Sequence, residues 1–452
     1  MTGGAGPVDP ARVPFPHVDE VSRHCLRDAE PETVHIEVHL PGRPDPERLR
    51  RAFGQALRCH PRALVREAPG PWYRRHYTWQ LTDGPDVDVV TFPEPEPDAL
   101  ARARARALAS APPLTASPPL RVEVVADPDR PGTTVLFLTV HHTALDGPAA
   151  LRVLATAAER YGGVPVAVPP APPTRPAAGS GAAVPGPPPW ARPARVAPGT
   201  PTRPAGPGAG NGLLVLDLPV PDRPAGAPYT VNDQLLVATA STVAQWNRLR
   251  GRVPRPVRIT VPVDDRPRGP EMPLGNGTRL VEVPFAVADL HPGDGGADGW
   301  PPAATAALLL RTAERTRALK AAHRPPLGRG AALLTAPVLP VTWRAALARG
   351  AQRALAPWTS TTLLSNIGRV PYPLDFGDAG RSEALWISAP ARLPRGLTVT
   401  TASTAGRLHV CLRWSTALLG EADGARLREL FERQLCATRL PAEQGNTTGG
   451  PR

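Results

Sequence analysis

The chain has 452 residues, long enough to bury two sizeable cores, and 52 Lys and Arg against 40 Asp and Glu give it a formal net charge of +12. Lys320 is the only lysine, and 62 Pro and 41 Gly stand beside scarce Ile, Asn, Phe and Tyr, a pattern of GC-rich coding that weakens any functional reading of the charge. No basic stripe with interleaved aromatics is present, so no nucleic-acid partner is expected; the nearest approach, residues 73–79, reads as a β-hairpin with solvated charges.

Residues 1–16 are Gly/Pro-rich, lack an apolar leader segment and read as a loose terminus. Residues 34–40 alternate apolar and polar positions, the pattern of a half-exposed strand with His35 and His39 on its solvated face. Asp45-Pro46 opens a helix whose Leu49, Ala52, Phe53, Ala56 and Leu57 form one stripe, ending at His60-Pro61. Strands follow near 72–80 and 119–125, with an Ala/Arg helix over 98–110 between them. Residues 133–140, a run of β-branched and aromatic residues, read as a buried strand. Between 164 and 212 Pro, Ala and Gly dominate, the composition of a semi-stiff linker.

A second half opens at Leu213. Thr230 caps a helix bearing Leu236, Ala240 and Val243; strands follow at 257–263 and 280–285, and helices near 302–324 and 340–355. Residues 361–371 carry Ser365 and Asn366, with a polar turn as the plain reading of 365–371. Strands 396–402 and 407–415 form a hairpin turned at Ala405-Gly406, and a last helix carries Leu427, Leu430, Phe431 and Leu435. The divisions are a first lobe over 17–163, the linker 164–212, a second lobe over 213–440, and loose termini at 1–16 and 441–452. Interspersed strands and helices give an α/β class, built as an α+β layered sandwich. No apolar run approaches membrane-spanning length, and Cys25, Cys59, Cys411 and Cys436 are scattered without a C-x-x-C, so a cytoplasmic protein without a membrane partner is expected.

The stretch that carries chemistry is His141-His142-Thr-Ala-Leu-Asp146-Gly147, between the strand at 133–140 and a helix that starts near Pro148 and stops at Gly162-Gly163. Side chains alternate across a strand, so one imidazole can enter a cleft while its neighbour points away. Histidine takes and returns a proton near neutrality. Asp146 can orient an imidazole or tie the turn to a distant cation, and Gly147 admits close approach to the backbone. The same residues also fit a strand-end turn with an Asp cap and two solvated histidines. A zinc site is a third option, against which stand the divergence of adjacent histidines and the lack of a second ligand cluster; no metal is expected.

These residues resemble the HHxxxDG signature of the chloramphenicol-acetyltransferase-like superfamily, which includes nonribosomal peptide condensation domains and alcohol acyltransferases. The helix ending in His60-Pro61, Val231-Asn232-Asp233, residues 262–267 followed by Gly275-Asn276, and Ser365 to Pro371 followed by Asp375-Phe376-Gly377 recur in similar order, most like stand-alone condensation proteins of bacterial secondary metabolism. The resemblance implies two similar lobes in a V-shaped pseudo-dimer with the active site at their junction. It implies that His142 is catalytic, that His141 holds the turn, and that Asp146 pairs with an arginine, by position Arg266. Gly147 would leave room for a pantetheine arm, and Ser365 and Asn366 would stabilise an oxyanion or position the acceptor. Residues 375–380 depart from the Asp-Phe-Gly-Trp-Gly of some branches.

The implied activity is acyl transfer from a thioester to an amine or hydroxyl acceptor. No cofactor is expected to stay bound; the phosphopantetheine thioester of coenzyme A or of an acyl or peptidyl carrier protein acting in trans is the co-substrate. The basic balance suits the phosphates of coenzyme A or an acidic carrier. A monomer is expected. The alternatives are a non-catalytic recruitment module and a related reaction (cyclisation, epimerisation or dehydration) on a tethered intermediate.

Overall fold

The structure, a computed structural model, describes residues 11–27, 30–128, 130–163, 191–200, 210–267, 272–290, 301–321 and 334–440. Of the expected loose termini 1–16 and 441–452, residues 1–10 and 441–452 lie outside the described residues, as does most of the linker (164–190 and 201–209), while residues 12–14 form a strand paired with residues 78–80.

The first half runs β1 (Arg12–Pro14), α1 (His17–His24), β2 (Thr33–Leu40), α2 (Pro46–Cys59), β3 (Val65–Glu67), β4 (Thr78–Leu81) and β5 (Val90–Thr91). It continues through α3 (Ala99–Ala109), β6 (Leu120–Ala126), β7 (Thr134–His141) and α4 (Gly147–Gly162). The second half runs β8 (Asn211–Pro219), α5 (Val231–Leu249), β9 (Val257–Asp264), β10 (Thr278–Phe285), α6 (Val287–Leu290), α7 (Pro302–Ala321) and α8 (Val341–Leu355). Then come β11 (Thr362–Arg369), β12 (Ala384–Ser388), β13 (Leu397–Thr404), β14 (Arg407–Ser415) and α9 (Glu421–Ala437).

Two lobes result, each built on a sheet. The first sheet has the order β12-β2-β7-β6-β5 and the second β10-β9-β11-β13-β14-β8, with a small β1-β4-β3 sheet beside them. Their cores follow from the sequence stripes. In α2 the Asp45 side chain accepts from Arg48 N, Pro46 occupies the first turn, and the five apolar residues of the stripe are at most 2% exposed against α4. Burying each large side chain is worth about 1.5–3 kcal/mol. At the end of α2, His60 Nε2 lies 2.8 Å from Thr156 Oγ1 on α4, and burial pulls its pKa down to about 4. In the other lobe α5 begins with a reciprocal Thr230/Asp233 capping box and packs against α9.

Three local expectations change. Strand β2 is buried along its whole length, because β12 and β7 flank it and both its faces are covered. His35 and His39 are therefore interior: Ser388 Oγ lies 2.9 Å from His35 Nδ1, and Glu37 holds His39 at 2.8 Å while accepting two bonds from Arg104. Burial, with Arg413 nearby, pulls His35 down to about 3. Residues 365–369 are strand rather than turn, carrying a bulge between Asn366 and Gly368. And β12, with no counterpart among the expected elements, leaves the second half of the chain to pair with β2. Trp386 on β12 donates to Leu216 O of β8, so this strand ties both sheets together.

Arg413 is the interior bolt between the sheets. It is fully buried on β14 and meets no carboxylate among the described residues. Its guanidinium donates to Asn211 Oδ1 at 2.6 Å, Thr33 O at 2.8 Å and Thr33 Oγ1 at 2.9 Å. Replacing it by Met would strand those acceptors. Hydrogen bonds from charged groups are worth about 1.5–3 kcal/mol each, so Arg413→Met should cost about 3 kcal/mol or more in urea unfolding, and a loss under about 1 kcal/mol would contradict the bolt.

Candidate active site

Strand β7 ends on His141 and α4 starts at Gly147, so the motif forms the turn between them. His141 O accepts from Ala144 N at 2.9 Å and Leu145 N at 3.2 Å, which closes that turn. Asp146 caps α4 by accepting from Ala149 N at 3.0 Å, and Gly163 ends the helix in the left-handed region at φ 68°. The two imidazoles diverge as strand alternation requires. His141 is buried, its Nδ1 accepts from Thr143 N at 3.2 Å, and burial, then the neighbouring His142, Arg23 and Arg392, pulls its pKa down to about 3. It stays neutral and holds the turn.

His142 is held by its backbone, whose N donates to Glu32 O at 2.8 Å. Its ring lines a cavity of about 250 Å³ between the two halves of the chain. Val18, Val21 and Ser22 of α1 form one wall, and Leu280, Leu363, Ser365 and Thr400 of the second lobe form the other. His142 Nδ1 is buried without a hydrogen-bond partner, leaving Nε2 as the ring nitrogen open to the cavity. A smaller cavity of about 60 Å³ shares Pro148, Pro262, Thr278, Ser365 and Ile367 with the first and runs on to Leu151, Asn366 and Tyr372.

Asp146 makes no hydrogen bond to His142. Both its oxygens accept from Arg266 Nη2, at 2.9 and 2.7 Å, and Oδ2 also accepts from Gly277 N at 3.0 Å. Arg266 sits just beyond β9 and is itself fixed by Asp264 Oδ1 at 2.8 Å and Gly275 O at 3.1 Å. Burial opposes its charge, but Asp264 and Asp146 outweigh burial and raise its pKa. Gly277 belongs to this clasp because a Cβ there would fall 2.5 Å from the Arg266 side chain. Gly147 faces the cavity: a Cβ there would point between Ile367 and Ile387, 3.8 and 4.0 Å away.

Ser365 and Asn366 differ. Ser365 lines both cavities, and its hydroxyl meets no partner among the described residues. The Asn366 amide is occupied in the β11 bulge: Oδ1 accepts from Gly368 N at 2.9 Å and Thr401 Oγ1 at 3.0 Å, and Nδ2 donates to Asn232 at 3.3 Å. Asp375-Phe376-Gly377 docks on the end of α4, where Asp375 O sits 2.8 Å from the position of a Gly162 Cβ; it lines neither cavity.

A second bridge lies beside the motif, without a local signal in the sequence. Asn276 Nδ2 donates to Asp19 Oδ1 at 2.9 Å and to Thr143 O at 2.8 Å. Asp19 is fully buried and also accepts from Arg62 and Trp79. Burial dominates and raises its pKa despite those donors. Nothing in the spacing of residues 19, 62 and 276 signals this meeting. Also unforeseen are Glu32, Arg392 and Arg395 in the cavity wall. Among the described residues no group of three His, Cys, Asp or Glu could hold a metal, all four cysteines are free, and no helix is long and apolar enough to cross a membrane.

Comparison with known proteins shows the fold. The chain has the fold shared by condensation domains and chloramphenicol-acetyltransferase-like acyltransferases. It resembles the trichothecene 15-O-acetyltransferase of Fusarium sporotrichioides with a TM-score of 0.64 at 10% identity, over 97% of this chain and 98% of that one. It resembles the starter condensation domain of rhizomide synthetase, solved as a mutant in complex with C8-CoA, with a TM-score of 0.57 at 14% identity, over 93% and 92% of the two chains. An uncharacterized protein of Mycobacterium tuberculosis is 29% identical over 398 residues, covering 80% of this chain and 84% of that protein. No protein-family model matches.

Two outcomes follow from this geometry. In a double-mutant cycle of Asp146→Ala and Arg266→Ala, each single change should destabilise by about 3 kcal/mol and the pair should couple by more than about 1 kcal/mol; additive losses would contradict the clasp. His35, His60 and His141 all bind protons more weakly folded than unfolded, where the ordinary value is 6.5. Between about pH 6.5 and 3 the unfolded chain therefore holds more protons, so stability rises with pH across that window. Their contribution is fully present above about pH 7 and is lost on acidification; urea midpoints should fall steadily from about pH 7 to 4, and a flat profile would contradict neutral burial.

Proposed function

We propose that this protein is an acyltransferase that moves an acyl group from a phosphopantetheine thioester to an amine or hydroxyl acceptor. The observation that carries the reading is the His142 ring, with Nε2 open to a cavity between two lobes. The neighbouring cavity offers a second approach past Ser365. A thioester entering from one side and an acceptor from the other would meet at that nitrogen. Condensation to an amide or an ester is the same chemistry here, since either acceptor loses one proton.

Nε2 takes the proton as the acceptor's nitrogen or oxygen attacks the thioester carbonyl. The tetrahedral intermediate collapses, the C–S bond breaks, and the imidazolium returns the proton to the departing thiolate. Amide or ester and free thiol are the products, and no acyl-enzyme is needed. The free Ser365 hydroxyl is the better placed oxyanion donor, because the Asn366 amide is already engaged. Asp146, saturated by Arg266, Gly277 and Ala149, supports the turn and takes no part in the proton transfer. The donor is coenzyme A or a carrier protein acting in trans, and the rhizomide starter domain in complex with C8-CoA supports the former.

The test is turnover with a panel of acyl-coenzyme A and acyl-carrier donors against mixed amines and alcohols, followed by intact mass. General-base assistance is worth about a hundred- to ten-thousand-fold, so His142→Ala should lose that much kcat while unfolding like the parent. Ser365→Ala should lose about a hundredfold and Asn366→Ala much less. Full activity in His142→Ala would reject the reading. A carrier-bound intermediate that changes mass without an acceptor would point instead to cyclisation or dehydration.

A further inference from the structure

Arg395 lies in the segment that returns the chain from β12 to β13, and it faces the cavity that holds His142. Only one edge of its guanidinium is used: Nε donates to Ser360 Oγ at 2.8 Å, and Ser360 is in turn 2.6 Å from Thr260 Oγ1. The η nitrogens meet no carboxylate among the described residues. The surrounding charges do not neutralise it. Arg392 is matched by Glu32 at 2.6 Å, and Glu282 is 3.6 Å from Arg258 and half exposed. Arg195, a further positive neighbour, donates to Thr359 O. One positive charge is left over in the cavity wall. Burial works against that charge, with Glu282 the main neighbour favouring it. A guanidinium remains ionised regardless, so its desolvation has to be offset by an anion or by water.

We propose that Arg395 receives a carboxylate of the substrate, making it the residue that selects acids over neutral analogues; this rests on the acyl-transfer reading for what the cavity does, not for whether it binds. A planar guanidinium with one edge pinned presents its remaining N–H groups in fixed directions, which suits the two oxygens of a carboxylate. Because Arg392 is already paired, a single net charge is on offer. That matches a monoanion better than a phosphate dianion. The apolar wall of Val21, Leu280 and Leu363 suits an aliphatic body on the same molecule.

The experiment measures binding by calorimetry and thermal shift, without turnover, in the full-length protein. The probes are octanoate against octanamide, leucine against leucinamide, and phosphopantetheine against pantetheine. At least one acid should bind the parent protein tenfold or more tighter than its amide. Arg395→Gln should erase that ratio, Arg395→Lys should keep part of it, and His142→Ala should keep all of it. Equal binding of acid and amide by the parent overturns the assignment without recourse to any variant. So does a ratio that survives in Arg395→Gln, or an Arg395-dependent preference confined to phosphopantetheine. If acids are selected but no thioester is ever turned over, the catalytic reading fails and the Arg395 assignment stands.

Discussion

At the motif turn the carboxylate of Asp146 joins the two lobes, which β12 and Arg413 also hold together farther away. It caps α4 in the first lobe and takes both bonds from Arg266 of the second, while Gly277 N closes its last lone-pair direction. Four satisfied bonds on a 2% exposed acid make an interaction that is costly to disturb. The turn that displays His142 is therefore set by the relation between the lobes as much as by its own residues. Asn276 repeats the logic a few ångströms away, bridging Asp19 and Thr143 O from the same loop. Cavity and lobe contact are one construction.

With Asp146 committed elsewhere, the His142 ring has no orienting carboxylate. Its backbone is fixed through Glu32 O, its Nδ1 is buried, and no side chain among the described residues bonds its ring. This separates the site from a triad, in which an acid fixes the tautomer of the base. His141, neutral and packed, contributes shape rather than proton transfer. Ser365 and the unmatched Arg395 both line the cavity that His142 faces.

Features governed by neighbours in sequence were legible: the apolar stripe of α2, the caps at Asp45, Asp146 and Thr230, and the hairpin at Ala405-Gly406, whose φ values of 49° and 77° suit a tight turn. The position of Arg266 opposite Asp146 came from motif order and not from local pattern. Features governed by distant cover were not legible. His35, Glu37 and His39 have the alternation of a solvated strand face, yet β12, α3 and β14 bury them, and the Glu37–Arg104 ion pair within the first lobe and the His35–Ser388 hydrogen bond to β12 make that tolerable. Strand β12 is five residues long and pairs with a partner some 350 positions earlier, which periodicity cannot report. Arg395 looked like one more arginine in an arginine-rich chain; only the neutralised charges around it distinguish it.

Affinity labelling tests most directly whether the His142 ring is open to a pantetheine-sized arm. Bromoacetyl-pantetheine, followed by peptide mapping, should alkylate the exposed Cys59 and Cys436 as internal controls and also the His142 imidazole. Labelled cysteines beside an unmodified His142, under conditions that saturate both thiols, would contradict the account.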